Sequence, residues 1–175
     1  MGVYKSQRKE AVAEFLKATA ALQVETMRIV KKLPKSYRYI ISNLMLELTG
    51  KAHVYAVRAN SIFVYGNMPP SDFDTRHYYL MKSAGCLDAI CSEIGICYAL
   101  VRENDNIFKS KKQRESTFFD WTHLAVTAAK LIKGVIKSDK ARYKRNYDEI
   151  PPLTPSEIIA KSEFDDTLLE RTTLE

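Results

Sequence analysis

A chain of 175 residues that is 46% hydrophobic and 27% charged can bury a core within one domain, which excludes general disorder. Its three cysteines are an odd number, and the polar first ten residues lack the apolar stretch of a secretion signal, so free thiols in a reducing cytoplasm are expected. The net charge of +6 points to an anionic partner, and no apolar run approaches the roughly 20 residues of a membrane span, so no membrane role is expected.

Only six glycines and six prolines occur, and four of the prolines sit in two pairs, Pro69-Pro70 and Pro151-Pro152. Long periodic segments between few breakers predict an all-α fold. The first predicted helix covers 7–32, with Ser6 as its cap and Val12, Phe15, Leu16, Thr19, Leu22, Met27 and Val30 on its buried face; Gln23 and Thr26 interrupt that face. Pro34 cannot continue a helix, because it lacks an N–H and clashes one turn back. Ser36 then reads as the N-cap of a second helix over 37–63, whose apolar face holds Ile40, Ile41, Leu44, Met45, Leu48, Ala52, Tyr55, Ala59 and Ile62. Gly50 weakens that helix by about 1 kcal/mol relative to alanine, and marks either a close helix approach or a tolerated cost. The bend between the two helices carries Arg28, Lys31, Lys32, Lys35 and Arg38.

After a break around Gly66 and Pro69-Pro70, Ser71 reads as the cap of a third helix over 72–102, with Asp72 and Asp74 in the first turn, where the helix dipole favours negative charge. Its predicted core face is Leu80, Met81, Ala84, Leu87, Ile90, Cys91, Ile94, Tyr98 and Val101, and Ala84, Gly85, Ala89 and Gly95 would admit a closely packed neighbour. The cysteines, Cys86, Cys91 and Cys97, lie on this helix without a Cys-x-x-Cys spacing, so they read as small packing residues and not as a metal or redox site. A polar stretch follows, containing Lys109, Lys111, Lys112 and Arg114. Ser116 reads as the cap of a fourth helix over 117–146, burying Phe119, Trp121, Leu124, Ala125, Ala128, Leu131, Ile132 and Val135.

On that fourth helix Lys130, Lys133, Lys137, Lys140 and Lys144 recur at spacings of 3, 4, 3 and 4, which makes one stripe, and Arg142 and Arg145 thicken its end. A lysine stripe is often a solvated face, but Asp139 is the single carboxylate near this one, so it repels itself unless a polyanion relieves it. The charge is unevenly spread along the chain. Residues 1–147 carry 25 Lys and Arg against 13 Asp and Glu, a net +12, whereas residues 148–175 carry 2 against 8, a net −6. The predicted organisation is therefore a bundle over 1–147 followed by an acidic extension over 148–175, in which Thr154-Pro155-Ser156-Glu157 opens a short helix.

Four helices of similar length with mostly short connections predict an up-down-up-down four-helix bundle. In that topology the first and third connections share one end. Arg28, Lys31, Lys32, Lys35 and Arg38 then stand beside Lys109, Lys111, Lys112 and Arg114, joining two distant basic segments into one pole. Enzyme chemistry finds no support: there is no glycine-rich phosphate loop, no Gly-x-Ser-x-Gly elbow and no His-Glu-x-x-His pair. The three histidines, His53, His77 and His123, fall on three different helices, with His53 and His77 able to meet across two of them. No catalytic residue, metal or cofactor is expected. Several of the ten tyrosines neighbour cations, as in Tyr37-Arg38-Tyr39, Arg76-His77-Tyr78-Tyr79 and Arg142-Tyr143-Lys144-Arg145-Asn146-Tyr147. Such pairs serve nucleic-acid surfaces through phosphate contact and base stacking, or sit half-buried with the hydroxyl wet.

The stretch from Val30 to Leu100, with Lys32-Leu33-Pro34-Lys35-Ser36-Tyr37-Arg38, Arg58-Ala59-Asn60, Arg76 and the spacing Leu80, Ala84, Leu87, resembles a family of small bacterial four-helix bundles. That family comprises proteins encoded by intervening sequences of ribosomal RNA genes and the accessory variability determinants of diversity-generating retroelements, and the likeness is nearer the second branch. The resemblance implies a basic homo-oligomer, a pentamer, that binds a reverse transcriptase and RNA or DNA and supports mutagenic reverse transcription without being catalytic. The long connection before the fourth helix and the acidic extension depart from that pattern. Two other readings remain at this stage: an adaptor bundle whose basic face meets an acidic protein, and an intervening-sequence-type bundle with no reverse transcriptase.

Overall fold

The computed structural model describes residues 5–37, 41–65, 68–103 and 107–143, with side chains from residue 14 onward except that of Ser36. The chain divides into two compact units, Met1–Lys144 and Arg145–Glu175, and the second lies outside the described residues, as do Ile40 and the capping motif proposed at 154–157. In chain order the helices are α1 (Lys5–Val30), the single turn α2 (Lys35–Tyr37), α3 (Asn43–Ser61), α4 (Pro70–Arg102) and α5 (Lys111–Arg142). The four long ones form the expected four-helix bundle: α1 packs on α3, α3 on α4, α4 on α5, and α5 back on α1. Thr19 meets His53, Ala52 meets Ser83, Asp88 meets Lys133 and Tyr98 meets Phe118, so successive neighbours run antiparallel.

The bundle closes because each helix presents one apolar stripe. Phe15, Leu22 and Ile29 come from α1, Met45, Ala52, Ala56 and Ala59 from α3, Leu80, Leu87, Ile90 and Ile94 from α4, and Trp121, Ala125, Ala128 and Ile132 from α5. Alanines on α3 and α5 lie in one core with large aliphatic and aromatic side chains from α1 and α4, the pairing of small with large that a close-packed interior requires. The buried threonines on these stripes, Thr19, Thr26 and Thr49, are satisfied by carbonyls of their own helices. The Thr26 hydroxyl donates to the Leu22 carbonyl at 2.8 Å and accepts from the indole Nε1 of the fully buried Trp121 at 2.9 Å. Thr26, expected as an interruption, is therefore the seat of the largest core side chain.

The ion pair between Arg76 and Asp139 is buried at the other end. The Arg76 Nε donates to Asp139 Oδ2 at 2.7 Å, and its Nη1 donates to the carbonyls of Ala59 and Ile62, the latter at 2.8 Å. One guanidinium thus adds to the Ile62 amide on the Ala59 carbonyl, takes up the Ile62 carbonyl where α3 ends, and ties both to α4 and α5. Below it Phe73 stacks on Tyr143 with centroids 4.0 Å apart, closing a small cluster with Met68.

Several expectations fail for one reason: the register of each helix is set by tertiary packing rather than by the nearest polar residue. Met27, Leu44, Met81 and Phe119, expected inside, are 43%, 42%, 52% and 71% exposed, and Ile29, Thr49 and Phe118 are buried instead. Ser36 lies inside α2 and Ser71 in the first turn of α4, behind Pro69 and Pro70. The α5 cap is Ser110 and not Ser116: its hydroxyl accepts from the Gln113 amide at 3.2 Å, while the Gln113 side chain accepts from the Lys109 amide at 3.2 Å. This reciprocal arrangement starts α5 six residues before the predicted boundary. Among the described residues no helix packs on the glycines of α4, since a Cβ on Gly85 or Gly95 would meet nothing within 4 Å. By length and composition α4 is apolar enough to cross a membrane, a test that the core helix of a folded bundle also meets, although Asp88 and Glu93 interrupt its apolar part. It nonetheless supplies a full core stripe to the bundle.

Replacing Arg76 by Met should strand the Asp139 charge and uncover the end of α3, lowering stability by about 3–5 kcal/mol. The check is the urea midpoint at unchanged slope, with exposed Arg28→Met as a control that stays within about 0.5 kcal/mol of wild type.

Candidate nucleic-acid interface

The bend after α1 and the connection between α4 and α5 lie at the same end of the antiparallel bundle, so the expected pole forms. Arg28, Lys31, Lys32, Lys35, Lys109, Lys111 and Lys112 are all exposed there, with Arg102 beside them at the end of α4. Two of them have local carboxylates: Arg28 pairs with Glu25 at 3.3 Å and Lys111 with Glu115 at 3.8 Å. Both are exposed one-turn pairs of small energetic value. Arg38 lies outside the described residues.

Arg114 does not belong to the pole surface. It is 6% exposed, because positions 114, 118, 121, 125 and 128 form the core-facing stripe of α5, and the early start of the helix puts Arg114 on it. Lys111 and Lys112 stand in the first turn of α5 instead of in a loop, so helical geometry fixes their spacing.

Along α5, Lys130, Lys133, Lys137, Lys140 and Arg142 are exposed, whereas Lys144, Arg145 and Tyr147 lie outside the described residues. Asp139 does not neutralise this stripe. It is 3% exposed and committed to Arg76. Instead α4 supplies the counter-charge at one position, where Asp88 holds the Lys133 ammonium at 2.8 and 3.0 Å. Lys130, Lys137 and Lys140 form no ion pair among the described residues. Beside Lys140, the His77 imidazole is held below its ordinary value of 6.5, first by burial and then by the lysine's positive charge.

The aromatic residues beside cations divide. Tyr143 is 9% exposed and serves the Phe73 stack. Tyr79 is half-buried against Tyr55 and Arg58, and Tyr78 lies under Lys82 at 5.5 Å, so these rings and cations engage one another within the bundle. Phe119, missed as a surface residue because it was taken into the wrong register, forms an exposed stack with His123, the centroids 6.4 Å apart.

The histidines do not converge. His53 Nδ1 reaches Thr19 on α1 at 2.9 Å, whereas His77 stacks on Phe73. No group of His, Cys, Asp and Glu able to hold a metal occurs among the described residues. Comparison of the chain with protein-family models, with curated proteins and with solved structures finds no match in any of the three.

The cysteines are free, and burial raises the thiol of each; Cys97 is pushed up to about 11. At pH 8 the native protein should therefore react slowly with a thiol reagent, Cys97 only on unfolding. Because the folded Cys97 pKa lies above its ordinary 9.0, its neutral form stabilises the fold below pH 9, and that contribution is lost as pH rises from about 9 to 11. Denaturant midpoints across this window should fall less for Cys97→Ala than for wild type.

Proposed function

We propose that this chain is a non-enzymatic nucleic-acid-binding bundle, a cytoplasmic accessory to the reverse transcriptase of a diversity-generating retroelement. The observation that supports nucleic-acid binding is the positive surface left uncompensated: Lys32, Lys35, Lys109 and Lys112 at one pole and Lys130, Lys137 and Lys140 along α5 are exposed and form no ion pair among the described residues. Phosphates would replace counterions along this surface, so binding should be salt-sensitive. The retroelement role rests on the resemblance running through Leu33-Pro34-Lys35, Arg58-Ala59-Asn60, Arg76 and Leu80, Ala84, Leu87. Of these, Leu33, Ala59, Arg76, Leu80, Ala84 and Leu87 are buried, so the likeness is chiefly one of bundle construction.

Self-association fits the open face of α4. Only a third of its apolar window is buried within the chain, and Met81, Gly85, Ser92, Gly95, Ile96 and Ala99 are exposed on it. Small residues there leave room for a second copy to approach closely, consistent with the homo-oligomer that the resemblance implies. Gly85→Arg or Ile96→Glu should reduce the assembly to smaller species by light scattering while leaving helical circular dichroism unchanged.

Titrating nucleic acid at two salt concentrations tests binding. Charge reversal of Lys32, Lys35, Lys112, Lys130, Lys137 and Lys140 together should lower the log–log salt slope for duplex by about 5. A basic face built for an acidic protein would instead show little nucleic-acid binding near physiological salt in the wild type. For the retroelement role the decisive observation is a reverse-transcriptase gene and a repeat pair flanking this one, with co-purification of the two proteins.

A further inference from the structure

Phe119 is 71% exposed, on a helix whose opposite face supplies the buried Phe118 and Trp121. An exposed phenylalanine alone is ordinary; its neighbours are what make it informative. At 3.6 residues per turn, Lys112, His123, Lys130, Lys133 and Lys137 all project within about 40° of Phe119 around the axis of the uninterrupted α5. Each is exposed. Lys112 of the basic pole and the lysine stripe thus share one face of α5, which rises about 1.5 Å per residue for about 38 Å from Lys112 to Lys137, with two near-parallel rings between the two groups of cations.

We infer that this face is a single-strand binding surface, on which Phe119, with His123 stacked beside it at an interplanar angle of 21°, receives an unpaired base while flanking lysines hold the phosphates. The inference rests on the nucleic-acid reading above and narrows it to a substrate class. Lysines by themselves bind duplex and single strands alike, because both offer phosphates. An exposed ring between them adds a contact that only an unstacked base can make, since duplex bases present no free face. Binding should therefore be tolerant of sequence, every base having a π-face. The carboxylate on this side near the rings, Glu115, is already turned to Lys111 at 3.8 Å.

The test uses the full chain and fluorescence anisotropy with a labelled twelve-nucleotide single strand, the same strand carrying an abasic tract, and a duplex of equal length. Phe119→Ala removes no core packing. It should weaken single-strand binding by about tenfold to a hundredfold while changing duplex affinity less than about twofold. The abasic tract should lose the same factor against wild type and nothing further against Phe119→Ala. Phe119→Trp should restore affinity and place an exposed indole beside the fully buried Trp121, so that single strand quenches a fluorescence that duplex leaves unchanged. If Phe119→Ala binds single strand as tightly as wild type while Lys130→Glu/Lys137→Glu weakens both forms, the stacking inference is overturned and nucleic-acid binding stands. If wild type binds neither form near physiological salt, the nucleic-acid reading itself fails, and the exposed ring belongs to a protein contact.

Discussion

Arg76 enters the lower end of the bundle from the second turn of α4 and finds there both an anion and the carbonyls of Ala59 and Ile62 at the end of α3. A buried guanidinium is tolerated only where its donors are met by well-placed acceptors, and here three helices have to be in register at once to meet them. The arrangement couples architecture to surface chemistry. By drawing Asp139 inward, it removes from α5 the carboxylate nearest to Lys137 and Lys140, and the stripe is left positive.

Charge at the other end follows from helix starts. The Ser110–Gln113 cap begins α5 before its basic run, so Lys111 and Lys112 are carried on a rigid element while Arg114 is turned inward. Lys112 then shares one face of α5 with Phe119, His123, Lys130, Lys133 and Lys137. Among the described residues, Lys133 alone of those last three meets a carboxylate, from Asp88 across the α4–α5 contact. That exposed pair is worth little to stability, and breaking it to admit a phosphate would cost correspondingly little. The positive track and the open apolar face of α4 serve different ends in the proposal: one holds nucleic acid, the other a second copy.

How much of this was legible in the sequence depends on which physical signal carries each feature. Four helices, their order and the breaks at Pro34 and Pro69-Pro70 are local: missing N–H donors and 3.6-residue periodicity act over a turn or two. The basic pole followed from topology, because short connections force successive helices antiparallel and so bring the first and third connections to one end. Individual burials were less legible. Both Phe118 and Phe119 satisfy a helical pattern, as do Met27 and Ile29, and only the neighbouring helices choose between them. The Ser110-x-x-Gln113 signature was present in the chain, yet Ser116 lay nearer the apolar run and took its place.

The sequence by itself determined the all-α class, the bundle order and the excess of positive charge, since composition, proline placement and periodicity act locally. Only the tertiary structure decided which charges remain free and which rings stand in the open. Asp139 reads equally well as a counter-ion for its lysine neighbours until α4 brings Arg76 to it, and Phe119 reads as core until Phe118 occupies that space. Both outcomes depend on contacts between residues far apart in the chain, 63 positions apart for Arg76 and Asp139, which no local pattern records.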